Sequence, residues 1–345
     1  MKRPLLLAAL LVALGACPKG GDKPKPVEPA GRGDAQNHVM PVADGGVTTL
    51  PPAPPLPAVP AGLPALPANP RITADAVALG ELLFHDSRLA ASGARSCASC
   101  HDPAAGYAGP VQRAADDKPN LRRTPALVNL AWAKAFGWDG RYATFAGHLP
   151  PHLKGQLGQP LETVAARIAE VPVYKLHVER VGGSPQDAIV QALEAYVLTR
   201  YDGDSPWDRM ERTARTKAGS ASADPIVAGY QLFIGKGQCG VCHVPPLYTD
   251  QGYHRVAPDP FNDPAHEDSG FKTPTLRGAA ARRELFHSGS AKSLADAVAQ
   301  YASPIADADP IAAKIRLTAD EQAQLVAFQK ALTSDRPPPA KPVLP

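Results

Sequence analysis

The chain has 345 residues, enough for about two domains once its ends are set aside, and a formal net charge of only +3. So small an excess gives no basis for nucleic acid or an anionic membrane surface as partner. Aromatic residues make up 6%, a low share that two small helical domains tolerate when large apolar cofactors fill their cores.

Met1 to Cys17 reads as an export signal, with Lys2 and Arg3 before an apolar run from Leu5 to Leu14 that is too short to span a bilayer. Leu14-Gly15-Ala16-Cys17 resembles the bacterial lipobox, which makes Cys17 the lipidated first residue of a mature lipoprotein; the alternative is an ordinary signal cut at a small residue. No later segment is apolar enough to cross a membrane, so the expectation is a periplasmic protein held to a bacterial membrane by lipid alone. Residues 18–68 are crowded with proline, including Pro51-Pro52 and Pro54-Pro55. Such a stretch favours extended polyproline II and is expected to be a disordered tether. At about 3.1 Å per residue it would reach roughly 100–150 Å.

Helical signals begin at Thr73, an N-cap residue followed by an apolar face of Val77, Leu79, Leu82, Leu83 and Phe84. Further helices are predicted over 188–201, 226–233 and 294–301. The last runs over 318–332, where Thr318 and Glu321 form a capping box and Leu325, Phe328 and Leu332 the buried stripe. Alternating strand patterns are nearly absent. The predicted fold is mainly α: two cytochrome c-like haem domains with long loops, at 69–215 and 216–337, and a proline-rich tail at 338–345. An internal duplication, with unit starts near Thr73 and Asp224, supports the division.

The strongest chemical signal is Cys97-Ala98-Ser99-Cys100-His101, repeated as Cys239-Gly240-Val241-Cys242-His243. C-x-x-C-H attaches c-type haem: thiols one helical turn apart meet the two vinyl groups, and the next histidine reaches the iron. Structural zinc or a thioredoxin-like redox pair also uses CxxC, but neither needs histidine directly after the second cysteine, twice. Two covalently bound haem c groups are therefore expected, with His101 and His243 as iron ligands. The far side of each iron decides between electron transfer and catalysis. Met1 lies in the signal, Met40 in the tether and Met210 between the domains, so thioether ligation is not expected.

With these motifs the sequence resembles the bacterial dihaem cytochrome c peroxidases and their MauG-type relatives over about residues 69–333. The matching stretches include Leu79–Leu89, Arg123–Asn129, Trp138-Asp139-Gly140-Arg141, Ser205–Arg209, Phe271–Arg277 and Phe286-His287-Ser288-Gly289-Ser290. The resemblance implies a peroxidatic first haem, an electron-transfer second haem and Trp138 between them; alternatively Trp138 is a core aromatic. The loop histidine that caps the resting first haem in the peroxidase branch has no counterpart between His101 and His148, which implies an open first iron.

In the distal pocket the family's glutamine falls on His148 and its glutamate, after an insertion, on Glu162. Either could move a proton during O–O cleavage, and His148 could instead bind the iron. The second iron's sixth ligand falls on Tyr301, as in MauG-type members, where methionine stands in the peroxidases. The family's interdomain calcium is doubtful here, because its positions hold Arg123, Arg282 and Glu284; Arg–Glu contacts are expected instead. The implied activity is reduction of hydrogen peroxide with electrons from a small cytochrome c or cupredoxin. The alternatives are a MauG-type oxidase that modifies a partner protein and a non-enzymatic dihaem electron carrier.

Overall fold

The computed structural model describes residues 49–216, 224–255, 262–265, 270–302 and 310–345. The signal stretch, Cys17, Met40 and the first part of the expected tether lie outside the described residues. Helices dominate: α1 Ala74–His85, α2 Cys97–Cys100, α3 Phe145–His152, α4 Leu161–Ala169, α5 Pro172–Val181 and α6 Pro185–Leu198 come first. They are followed by α7 Pro206–Thr216, α8 Pro225–Ile234, α9 Leu294–Ala302 and α10 Ala319–Ala331. Strands are confined to two antiparallel ribbons, Val111–Arg113 with Pro119–Arg123 and Tyr253–His254 with Phe271–Lys272.

The expected caps are present. The Thr73 hydroxyl accepts from the Ala76 amide, and Thr318 and Glu321 close a capping box. Helix α6 starts and stops three residues earlier than the pattern predicts, because Ser184 caps it with Pro185 in its first turn. At its far end Thr199 Oγ1 turns back onto the Ala195 carbonyl at 2.8 Å.

Among the described residues the two larger apolar clusters are one from residues between Leu79 and Val197 and one around Trp207, Phe233, Tyr248, Leu325 and Phe328, with a smaller third around Leu285 and Leu294. Each of the larger two is organised by an opening helix crossed on a closing helix, α1 on α6 and α8 on α10. The crossings are backbone to backbone. A Cβ on Gly80 would stand 2.0 Å from the Ala192 carbonyl oxygen, and one on Gly229 would stand 2.0 Å from that of Gln324.

The duplication continues beyond these helices. From Thr124 and Thr273 onward the halves share one register, offset by 149 residues. Asn129 and Gly278 both take a left-handed turn, and isolated bridges join Phe136 to Tyr142 and Leu285 to Ala291. Gly137 and Phe286 share a positive φ, as do Gly140 and Gly289. Helices α3 and α9 begin at matching positions, Phe145 and Leu294.

Residues 49–68 depart from the expected disordered tether: they lie on the folded body. Arg180 donates to the carbonyls of Pro51 at 2.6 Å and Leu50 at 2.7 Å, Arg277 to that of Gly62 at 2.7 Å, and Trp132 Nε1 to that of Ala65 at 3.0 Å. Proline-rich chain has its φ angles pre-set, so ordering it costs little backbone entropy, and its unpaired carbonyls suit side-chain donors. At Gly62, where φ is +85°, a Cβ would lie 2.2 Å from the Asp208 carboxylate, so only glycine passes there. The carboxylate itself is clamped by Arg277 at 2.8 Å, with both side chains buried. The proline-rich tail also returns to the body, where the Pro345 carbonyl accepts from Arg88 at 2.7 Å. Among the described residues no helix is long and apolar enough to cross a membrane.

Candidate functional site

The first CxxC is one helical turn, α2, with the Ser96 amide donating to Ser99 Oγ at 3.2 Å. Cys97 and Cys100 therefore share a face. His101 follows, buried, with Nδ1 held 3.1 Å from the Tyr107 carbonyl and 3.0 Å from that of Pro125. Its Nε2 is the nitrogen left for a metal. The second motif repeats this arrangement, with His243 Nδ1 3.0 Å from the Tyr248 carbonyl. Such an anchor fixes the tautomer and ring orientation of a ligating imidazole. Burial pushes the Cys97 and Cys239 thiols up to about 12. None of the four cysteines is in a disulfide.

Each motif opens onto its own cavity. The first, about 510 Å³, is lined by Cys97, Cys100 and His101 on one side and by Trp138, Phe145, His148 and His152 on another. The second, about 150 Å³, is lined by Cys239, Cys242 and His243, with His287, Leu294, Ala297 and Tyr301. Because the two CxxC pairs line separate cavities, they do not form one four-cysteine zinc site. An apolar cavity carrying two thiols and an oriented imidazole fits a covalently held haem in both halves.

Trp138 belongs to the walls of both cavities. It is buried, its Nε1 donates to the Arg123 carbonyl at 2.9 Å, and the Arg123 guanidinium stands 4.9 Å from its ring centre. That position suits a bridge between two cofactors. Tyr301 lies on α9 facing the second cavity, with burial raising its phenol well above the ordinary range. No methionine lines either cavity among the described residues; Met210 sits on α7, away from both.

His148 faces the first cavity, stacked on Tyr142 with ring centres 4.8 Å apart. Sequence reasoning missed His152 and Gln156, which lie on the same wall. The interval 148, 152, 156 is a helical stripe and could have revealed them. Burial lowers His101 to about 4 and His152 to about 3, so both rings are neutral and able to coordinate.

Glu162 is a correction. It is exposed in the first turn of α4 and lines neither cavity. After α3 the chain continues as a π-helical turn, Leu153–Leu157, and reverses at Gly158, where φ is +71°.

The calcium positions do not fit a cation. Arg123 and Arg282 are both buried; Arg123 donates to the Phe286 carbonyl at 2.6 Å, and Arg282 to those of Thr275 at 3.1 Å and Arg277 at 2.6 Å. Burial, with the neighbouring Arg282, lowers Arg123 to about 9. Both arginines bond to carbonyls, while Glu284 attracts the Arg123 charge and pairs with Lys292 at 2.7 Å.

This geometry agrees with the relatives of the chain. Residues 74–216 match the family model described as di-haem cytochrome c peroxidase. The methylamine utilization protein MauG of Paracoccus denitrificans is 30% identical over 291 residues, spanning 65% of this chain and 73% of that protein. The chain belongs to the di-haem cytochrome c peroxidase family. Cytochrome c551 peroxidase of Nitrosomonas europaea is 28% identical, over 79% of this chain and 84% of that protein. The diheme peroxidase BthA of Burkholderia thailandensis shares the fold, with a TM-score of 0.61 and 20% identity over 86% of this chain and 99% of BthA. The chain is thus a di-haem oxidoreductase, and its relatives carry both the peroxidase and the MauG names.

Proposed function

We propose that this protein reduces hydrogen peroxide to water at the first cavity, using electrons that arrive one at a time through the second from a small cytochrome c or cupredoxin. The difference between the cavities carries this reading. The first is about 510 Å³ and bears histidines opposite the motif; the second, about 150 Å³, bears Tyr301 and aliphatic walls. One side offers proton-carrying imidazoles to a substrate; the other offers a phenol and aliphatic side chains.

The haems, attached through Cys97 with Cys100 and Cys239 with Cys242, supply the redox chemistry that splits the O–O bond: one peroxide, two electrons and two protons give two waters. The chain orients and supplies. His101 and His243, fixed through Nδ1, present Nε2 to the irons. Trp138 fills the wall between the sites and provides an aromatic path for the electrons. His148 is placed to move a proton between peroxide oxygens. The apolar lining excludes bulk water from the rest of the cavity. Tyr301 would hold the second iron from the wall opposite His243, and binding there would draw off its phenolic proton to give a donor that favours the oxidised metal. In the same reading Cys17 carries the lipid that holds the protein on the periplasmic side of a membrane, and Cys17→Ser abolishes fatty-acid labelling.

Tyr301 and the identity to a MauG protein favour a second reading, in which the same chemistry oxidises a partner protein. Stopped-flow mixing with peroxide decides. Rapid turnover with reduced cytochrome c or cupredoxin supports the peroxidase. A long-lived near-infrared absorption, unquenched by these donors, supports the partner-directed oxidase, and inertness to peroxide removes both.

A further inference from the structure

The wall opposite His101 holds a residue to which neither the motif nor the proton chemistry assigns a role. His152, at the end of α3, faces the first cavity with its ring centre 6.2 Å from that of His101 and the planes at 50°. An imidazole bound through a nitrogen about 2.0 Å from a metal has its ring centre about 3 Å from it. Two imidazoles on opposite sides of one iron therefore stand about 6 Å apart. A bound oxygen in the same gap would need roughly 3 Å more. The observed separation matches that of two imidazoles sharing one iron and falls short of what a bound oxygen would add.

The internal repeat reaches the same residue independently. In the register that superposes the halves, Trp138 corresponds to His287, Phe145 to Leu294, His148 to Ala297, Leu149 to Val298 and His152 to Tyr301. Each of these residues lines the cavity of its own half. His152 thus occupies, over the first iron, the place from which Tyr301 faces the second. His148 falls on an alanine and packs behind, 5.1 Å from His152 ring to ring.

We propose that His152 is the sixth ligand of the first haem iron in the resting protein and leaves it before peroxide binds. The inference rests on the first cavity being the peroxide site, and it replaces the open iron expected from the missing loop histidine. The local backbone suits a ligand that withdraws. Pro150 and Pro151 lie inside α3 and donate no helical hydrogen bonds, and the π-helical turn Leu153–Leu157 begins directly after His152. The segment is therefore short of the hydrogen bonds that would lock the ring in place.

The test uses the full-length protein with both haems loaded and oxidised, without peroxide or donor, read by electron paramagnetic resonance and near-infrared magnetic circular dichroism. The expected wild-type spectrum contains a low-spin, bis-imidazole ferric haem amounting to one iron per chain. In His152→Ala that species is lost and an equal amount of high-spin iron replaces it, while His148→Ala retains it. His152→Met, which restores a ligand, returns the low-spin state with a methionine-to-iron band in place of the bis-imidazole signature. High-spin iron amounting to one per chain in the wild type overturns the proposal, as does a spectrum unchanged in His152→Ala; haem stoichiometry in each variant establishes that the chain has folded. Turnover is not measured, so a low-spin protein that fails to reduce peroxide defeats only the functional reading. A high-spin protein that reduces it defeats only the ligand.

Discussion

The two cavities are built from the same parts and have diverged above, on the walls opposite the CxxCH motifs that form their floors. Below, both use a one-turn CxxC, a histidine anchored through Nδ1 and a pair of helices crossing at a glycine. Above, the first half has Trp138, His148 and His152, and the second has His287, Ala297 and Tyr301. The lower half must hold a cofactor, and the covalent geometry leaves few solutions. The upper half differs through exchangeable side chains on one short helix and the loop before it. His287 illustrates the freedom: in the position of the bridging tryptophan it stacks face to face on Phe271, with ring centres 3.9 Å apart.

The largest effects come from removing either lower half. Cys97→Ala with Cys100→Ala should leave one haem per chain by pyridine haemochrome assay and abolish reaction with peroxide. Cys239→Ala with Cys242→Ala should also leave one haem, but the remaining first haem should still react with peroxide and fail only in donor oxidation. Equal loss of the peroxide reaction in both would break the division of labour.

Next is the ion pair beneath the proline-rich segment at Gly62. Arg277→Met strands the buried Asp208 carboxylate and should cost about 3–5 kcal/mol in denaturant unfolding. Burial raises the Asp208 pKa, but Arg277 outweighs it and holds the group below the usual carboxylate range. Its contribution is thus complete above the unfolded value of about 3.9 and is lost as pH falls through the lowered folded value. Acid unfolding of wild type should steepen there, and that component should vanish in the variant.

Gly80→Ala and Gly229→Ala should each cost about 1–3 kcal/mol or more by overpacking a helix crossing. Each should loosen the haem spectrum of its own half first, so the pair tests how independent the halves are. Trp138→Phe keeps most of the wall but loses the hydrogen bond to Arg123, and should slow electron transfer between haems about tenfold, some 1.4 kcal/mol in barrier, in rapid-mixing spectra. Glu162→Gln should have the smallest effect, within about twofold in turnover, as for an exposed side chain far from the reacting atoms. A large loss there would return the carboxylate to the distal pocket.

The sequence alone determined what local covalent chemistry fixes. Cys97-x-x-Cys100-His101 and Cys239-x-x-Cys242-His243 give the haem-attachment pattern twice, in agreement with the di-haem family, and the helix caps at Thr73 and Thr318 depend on only a few neighbours. The duplication was legible too, and followed to its end the register would have matched His152 with Tyr301. Tertiary structure decided the rest. Which of His148 and His152 stands nearer His101 depends on the phase of α3, and Glu162 proves to be exposed on α4. The prolines before Thr73 read as a tether until side-chain donors from distant segments, Arg180, Trp132 and Arg277, were found to take up the carbonyls of residues 50–65. Partners far apart in the chain leave no local pattern, so these contacts appear only once the chain has folded.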